Sequence, residues 1–233
     1  MTRRLGVLGG TFDPVHFGHL DAAAAARSAL ALHDVLFVPS HDPPHRPTDP
    51  HATGFQRLAL VALAINDVGA SRVSPVELLR DGRSYTSDTL RALHAAGWAP
   101  AQLFFILGAD AFAEIATWHE FPWVLDAAHF AVIARPGTTI EAALARTPDL
   151  QWRARRASAV AEAGDRTSIV LVETATRDIS STLVRRRLAA GQPISDLVPS
   201  AVARHIAAHH LYGTEDDLHG HDEDNQNKRS QDN

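Results

Sequence analysis

The sequence predicts a doubly wound α/β domain with a mostly parallel, Rossmann-like sheet. Three observations lead there. Short apolar runs of strand length alternate with helix-length patterns along most of the chain, which is the signature of βαβ units. The first apolar run ends in two glycines, a turn and a helix start, as at the ligand-binding end of an open parallel sheet. With 233 residues, 45% of them hydrophobic, one such domain can bury its own core.

The elements follow in order. Leu5 to Gly9 reads as a buried strand, Phe17 to Leu32 as an alanine-rich helix, and Val35 to Pro39 as the second strand. Ser40 to Gly54 is a loop rich in proline and histidine, leading to a helix from Phe55 to Asn66. A short strand near Val73, a helix from Ser87 to Ala96 and a strong strand from Leu103 to Leu107 come next. His129 to Ala134 and Ile169 to Val172 supply two more strands. Helices over Ser181–Ala190 and Ala201–His209 close the domain, which runs over residues 1–213. Crossovers between parallel strands should be right-handed. The Arg146–Arg166 stretch, rich in alanine and arginine around Trp152, has no readable period and receives no role. Residues 214–233 are acidic and nearly free of hydrophobic residues, so the expectation is a disordered tail that cannot offset its ordering entropy.

Composition narrows the function. A net charge of −5 is the wrong sign for a protein that grips nucleic-acid backbones. The absence of cysteine removes disulfides, Cys-ligated zinc and thiol nucleophiles. The few apolar residues before Thr11 are too short for a signal or a membrane span, and no later stretch has membrane length without charges, so the expectation is a cytoplasmic protein with no membrane partner. A homo-oligomer remains open.

The chemistry concentrates in Gly9-Gly10-Thr11-Phe12-Asp13-Pro14-Val15-His16-Phe17-Gly18-His19. Glycines at a strand's carboxyl end let a ligand approach the backbone N–H groups. A helix N-terminus offers unpaired N–H groups and a positive dipole end. His16 and His19, three residues apart at that opening turn, can aim both imidazoles at one spot. Such a set suits a phosphate that gains charge during transfer. The spacing is neither G-x-G-x-x-G nor G-x-x-x-x-G-K-[ST], so a redox Rossmann site and a P-loop are both disfavoured.

This string resembles the signature of the H-x-G-H nucleotidyltransferases, and specifically of bacterial nicotinate-nucleotide adenylyltransferases. The resemblance implies a doubly wound nucleotidyltransferase fold with Gly9, Gly10, Thr11, Phe12, His16 and His19 around ATP, the two histidines being catalytic. Ile179-Ser180-Ser181-Thr182-Leu183-Val184-Arg185 resembles the family's second signature, so Ile179, Ser180, Ser181 and Arg185 also fall at ATP. Independently of any family, consecutive hydroxyls can cap a helix there, and an arginine one turn later can reach a bound phosphate. Gly108-Ala109-Asp110 resembles the family's G-A-D segment, placing Gly108 and Asp110 at the adenosine. The resemblance puts His45, Tyr85, Thr86 and Trp118 at nicotinate mononucleotide, with Trp118 stacked on the pyridine ring. Glu77-Leu78 also matches. Arg46 stands where the family has lysine, which keeps the charge and changes its geometry. The implied reaction joins the mononucleotide to the adenylyl group of ATP and releases pyrophosphate. The implied cofactor is Mg²⁺ arriving with ATP, and no protein metal ligand is expected.

Overall fold

A computed structural model describes residues 3–44, 48–134, 140–145, 147–157, 159–160 and 166–213. Seven strands form one sheet: β1 (Leu5–Gly10), β2 (Asp34–Pro39), β3 (Ser71–Val73), β4 (Leu103–Gly108), β5 (His129–Ile133), β6 (Ala154–Arg156) and β7 (Ile169–Val172). Their order is β3-β2-β1-β4-β5-β7-β6, and every pairing is parallel. The helices are α1 (Phe17–Leu30), α2 (Gly54–Ile65), α3 (Thr86–Ala95), α4 (Ala109–Ala113), α5 (Val124–Ala127), α6 (Ile140–Ala145), α7 (Ser181–Ala189) and α8 (Ser200–Ala208).

Alternation along the central strands explains the double layer. Successive strand side chains point to opposite faces. Leu103, Phe105 and Leu107 therefore enter one buried cluster together with Leu5, Val7, Phe130 and Val132. Phe104 and Ile106 join Leu8, Ala131 and Ile133 in the other. Helices α1, α2, α7 and α8 cover the second face, with Ala23, Ala26, Leu60, Val61, Val184 and Val202 packed there. Helices α3, α4 and α5 cover the first, through Leu90, Phe112 and Leu125. Gly6 is needed where α1 and β4 close on β1, because a Cβ there would lie 2.8 Å from Leu32 and 2.9 Å from Ile106.

Strand order reverses at β1. Its partners β2 and β4 lie on opposite sides, and their following helices cover opposite faces. The connections therefore part at the carboxyl ends of β1 and β4 and open a crevice, the usual ligand position in such sheets.

The structure adds elements that the sequence pattern did not indicate. α4, α5 and α6 have four to six residues each, too short for a helical period to register. Within the unreadable stretch, Pro148–Arg153 forms a 3₁₀ segment and β6 pairs with β7 at the sheet edge. Helix α1 stops two residues earlier than expected because Ala31 turns left-handed at φ 49°. The acidic tail and the His45-Arg46-Pro47 segment lie outside the described residues, so the expectations for the tail and for His45 and Arg46 lie outside them too.

Candidate active site

The crevice between β1 and β4 holds a cleft of about 220 Å³. Its walls include Gly9, His16, Gly18 and His19 on one side, Gly108 and Ala111 on another, and Thr176, Arg177 and Ile179 across the mouth. Five of the residues predicted for ATP thus line it: Gly9, His16, His19, Gly108 and Ile179. Thr11 and Gly10 continue the same backbone path, half-buried. Asp110 is exposed in the first turn of α4, where a carboxylate suits the helix dipole.

The two histidines are set by helix initiation itself. His16 is the residue before α1, in extended conformation, and its backbone N–H donates to His19 Nδ1 at 3.2 Å. A neutral imidazole that accepts at Nδ1 carries its proton on Nε2. His19 is therefore presented to the cleft as a donor. The two rings lie 3.7 Å apart, centroid to centroid, so one anion can meet both. Gly18 fits closely between them, because a Cβ would come within 3.1 Å of His16 Cε1 and Nδ1.

The loop before them is locked by buried charge. Asp13 has no exposed surface. Its carboxylate accepts the N–H groups of His51 at 3.0 Å and Ala52 at 3.1 Å. Burial pushes its pKa up, but those two N–H groups, the Tyr212 hydroxyl and the Arg185 charge together bring it below the ordinary carboxylate value. Burial, followed by that same carboxylate, pushes the Tyr212 phenol up. Arg57, 1% exposed, donates to Thr11 O at 2.6 Å and Ala52 O at 3.1 Å, fastening the loop to the start of α2. A buried arginine is tolerated when its N–H groups are satisfied in this way.

The second motif has a scaffold role here. Ser180 caps α7 by accepting Leu183 N–H at 3.1 Å. The Ser181 hydroxyl donates to Pro14 O at 2.8 Å, and Arg185 Nη1 donates to Asp13 O at 2.6 Å. Among the described residues Arg185 Nη2 meets Thr182 Oγ1 at a long 3.4 Å. Phe12 turns its side chain away from the cleft. Its left-handed φ of 52° turns the ring inward, where it packs edge-on against His19 and beside Phe37 at 1% exposure. Only its backbone can meet a ligand.

Sequence reasoning missed Thr176 and Arg177. Arg177 forks onto Asp21 with bonds of 2.8 and 2.7 Å and lies 4.1 Å over the Phe17 ring. That fork lowers the Asp21 pKa. The bond links positions 156 apart in sequence, and no local pattern signals it.

A second cavity, of about 80 Å³, is lined by Pro44, Ser84, Tyr85, Thr86, Trp118 and His119. Trp118 is half-buried, edge-on to Phe105 at 5.8 Å and to Phe130 at 6.3 Å. Those contacts hold the indole from the core side, while the residue still borders the cavity. Tyr85 stacks on His119 at 4.2 Å. Three of the residues predicted for the mononucleotide, Tyr85, Thr86 and Trp118, thus share one small pocket.

The cytidylyltransferase-like family model matches residues 7–187. A Pseudomonas aeruginosa protein named a probable nicotinate-nucleotide adenylyltransferase is 40% identical over 212 residues, covering 91% of this chain and 98% of the relative. A Roseiflexus protein of the same name is 41% identical over 208 residues, covering 89% and 97%. Among solved structures, Plasmodium falciparum nicotinic acid mononucleotide adenylyltransferase complexed with NaAD aligns with a TM-score of 0.65 at 16% identity, over 91% of this chain and 98% of that one. At that identity the likeness concerns the fold.

Proposed function

The chain belongs to the cytidylyltransferase-like family and, within it, to the nicotinate-nucleotide adenylyltransferases, and from that premise we propose how its residues carry out the reaction. The enzyme transfers the adenylyl group of ATP to nicotinate mononucleotide, giving nicotinate adenine dinucleotide and pyrophosphate in NAD biosynthesis. A phosphate oxygen of the mononucleotide forms a bond to the α-phosphorus of ATP. The bond from that phosphorus to the bridging oxygen breaks, and pyrophosphate leaves with the electron pair. The attacking phosphate is already an anion, so the protein need supply no nucleophile. Its work is positioning and charge stabilisation.

The observation that carries this reading is the His16–His19 pair, with His19 fixed as an Nε2–H donor at the start of α1. Its imidazole and the neighbouring backbone N–H groups meet the α- and β-phosphate oxygens, where charge grows as the bridging bond breaks. The outer edge of Arg185, and Arg46 from its loop, hold the polyphosphate. Gly9 and Gly108 let ribose and adenine lie against backbone, with Asp110 near the adenosine. Trp118, Tyr85 and Thr86 receive the pyridine end, with His45 beside them. Among the described residues no three His, Asp or Glu side chains converge on a metal site. The N–H donors at the cleft suit the phosphates, and Mg²⁺ would arrive with ATP, offsetting phosphate charge and keeping most of its waters. Among the described residues no helix is long and apolar enough to cross a membrane, and we place the reaction in the cytoplasm.

The test is pyrophosphate release from ATP with nicotinate mononucleotide, nicotinamide mononucleotide and phosphopantetheine as acceptors. The expected order has nicotinate mononucleotide first. Preference for phosphopantetheine would move the chain to another activity of the family, and no release with any acceptor would make it a binding module.

A further inference from the structure

Between β3 and α3 lies a buried carboxylate for which the adenylyl-transfer chemistry has no use. Glu77 is 7% exposed and accepts the Thr89 hydroxyl of α3 at 2.5 Å. The nearby Ser84 hydroxyl also favours its charged form. Ser84 Oγ in turn accepts the backbone N–H of His41 at 2.8 Å, and Ser84 N–H donates to Asp42 O at 2.8 Å. Thr89 Oγ1 also lies 3.5 Å from the carbonyl oxygen of Tyr85, at the start of α3. Through Thr89 the carboxylate ties its own loop to α3, while Ser84, just before that helix, is bonded to the loop after β2.

Those segments line the smaller cavity through Pro44, Ser84, Tyr85 and Thr86, together with Trp118 and His119, and they meet the latter directly, Tyr85 stacking on His119 at 4.2 Å and Ser87 Oγ lying 3.2 Å from His119 Nδ1. The carboxylate's own loop is wedged in place. Leu78 is 8% exposed, and a Cβ on Gly54 would lie 2.6 Å from its Cδ2. Burial raises the Glu77 pKa, while the two hydroxyls and Arg80 counter part of that rise. Its donor Thr89 sits one turn into the helix whose first residues, Tyr85 and Thr86, border the pocket.

We propose that Glu77 is a positioning residue for the pyridine half of the mononucleotide, setting the spacing between the Ser84–Thr86 wall and the Trp118–His119 wall. The inference rests on the substrate reading above. Removing the acceptor leaves the buried Thr89 hydroxyl to find a new partner, and the wall that carries Tyr85 loses its fixed distance from Trp118. The nucleotide cleft between β1 and β4 shares none of these bonds. The effect therefore falls on one substrate.

The experiment measures binding of nicotinate mononucleotide and of ATP, each alone, by titration calorimetry, beside melting curves. The proteins are the wild type, Glu77→Ala, Glu77→Gln and Thr89→Val. Glu77→Ala is expected to weaken mononucleotide binding about tenfold or more and ATP binding less than about threefold, as a wall misplaced by under an ångström would. Glu77→Gln should recover most of that loss, since its amide oxygen accepts from Thr89 and its NH₂ can donate to Ser84 Oγ. Thr89→Val, which removes one donor, should show an intermediate loss on the mononucleotide only. Equal weakening of both ligands, or unchanged mononucleotide binding in a folded Glu77→Ala protein, overturns the proposal. If Glu77→Ala does not fold, unchanged binding in Thr89→Val overturns it. If the wild type binds no nicotinate mononucleotide but turns over another acceptor, the substrate reading fails by itself, and the same comparison made with that acceptor decides the role of Glu77.

Discussion

Adding one methyl group to Gly18 separates stability from catalysis. Gly18 is the second residue of α1, between the two histidines. A Cβ built there lies 3.1 Å from His16 Cε1 and Nδ1 and 3.3 Å from the carbonyl oxygen of Arg177, where ordinary contact begins at 3.4 Å. One neighbour must therefore retreat by at least 3.4 − 3.1 = 0.3 Å. The Arg177 carbonyl belongs to a backbone whose N–H is bonded to Asp21, so the His16 ring has to move, and it lies against His19, the centroids 3.7 Å apart and the rings tilted by 30°. A misplacement of about 1 Å at a reacting centre costs about a hundredfold, so a few tenths of an ångström should lower kcat about three- to tenfold. Stability should change little, because Gly→Ala stiffens the unfolded chain by about 0.4–1 kcal/mol, which offsets the local strain. Initial rates of pyrophosphate release at saturating substrates, read beside a melting curve, give both quantities. Gly69→Ala, whose Cβ would meet nothing within 4 Å, serves as the control. A folded Gly18→Ala enzyme with wild-type kcat would refute the placement of His16 at the reacting phosphate.

Three further outcomes follow from the same geometry. His19→Ala should lower kcat by about a hundredfold, the scale of one lost transition-state donor, in a protein that melts normally; near-normal turnover would sink the donor role. Trp118→Ala should raise KM for nicotinate mononucleotide about tenfold and KM for ATP less than about threefold, with Trp118→Phe recovering much of the loss. A large drop in melting temperature with both KM values raised alike would return Trp118 to the core. His129, 2% exposed, has its pKa pulled down to about 4, chiefly by burial. The folded state therefore binds fewer protons than the unfolded state between about pH 6.5 and 4, and stability is lost as pH falls through that window. The loss from pH 7 to 5 is about 2 kcal/mol. His129→Asn, which can still accept the Ser168 N–H that His129 Nδ1 takes at 3.1 Å, should flatten that part of the pH dependence in urea unfolding. Parallel losses in both proteins would assign it elsewhere.

The large strands were legible because each is a run of buried apolar residues, as in Leu103–Leu107. β6 was not, since Ala154-Arg155-Arg156 at a sheet edge has neither alternation nor a hydrophobic run. His16 and His19 could be read because strand end, turn and helix start are contiguous, so local sequence dictates local geometry. Arg177 could not, because its place depends on Asp21, brought alongside only by the fold. Phe12 was legible in position and not in orientation. It sits within the most specific string of the chain, yet its backbone angle sends the ring to the core. Glu77 was visible only as part of a match, and its task emerges from Ser84, Thr89 and the loop after β2 meeting around it.

Asp13 draws its partners from residues 51–52, 185 and 212, which bears on how the domain can be cut. The glycine–histidine string looks like a portable module, complete within eleven residues. Physically it is the first link of a ring that closes only when the chain has almost ended. A fragment that stops before Tyr212 uncovers one side of a carboxylate that the fold keeps from water, and a graft of the string onto another sheet carries none of its supports. The smallest transferable unit is therefore the span from β1 to the residue just beyond α8, and motif and domain are here the same object.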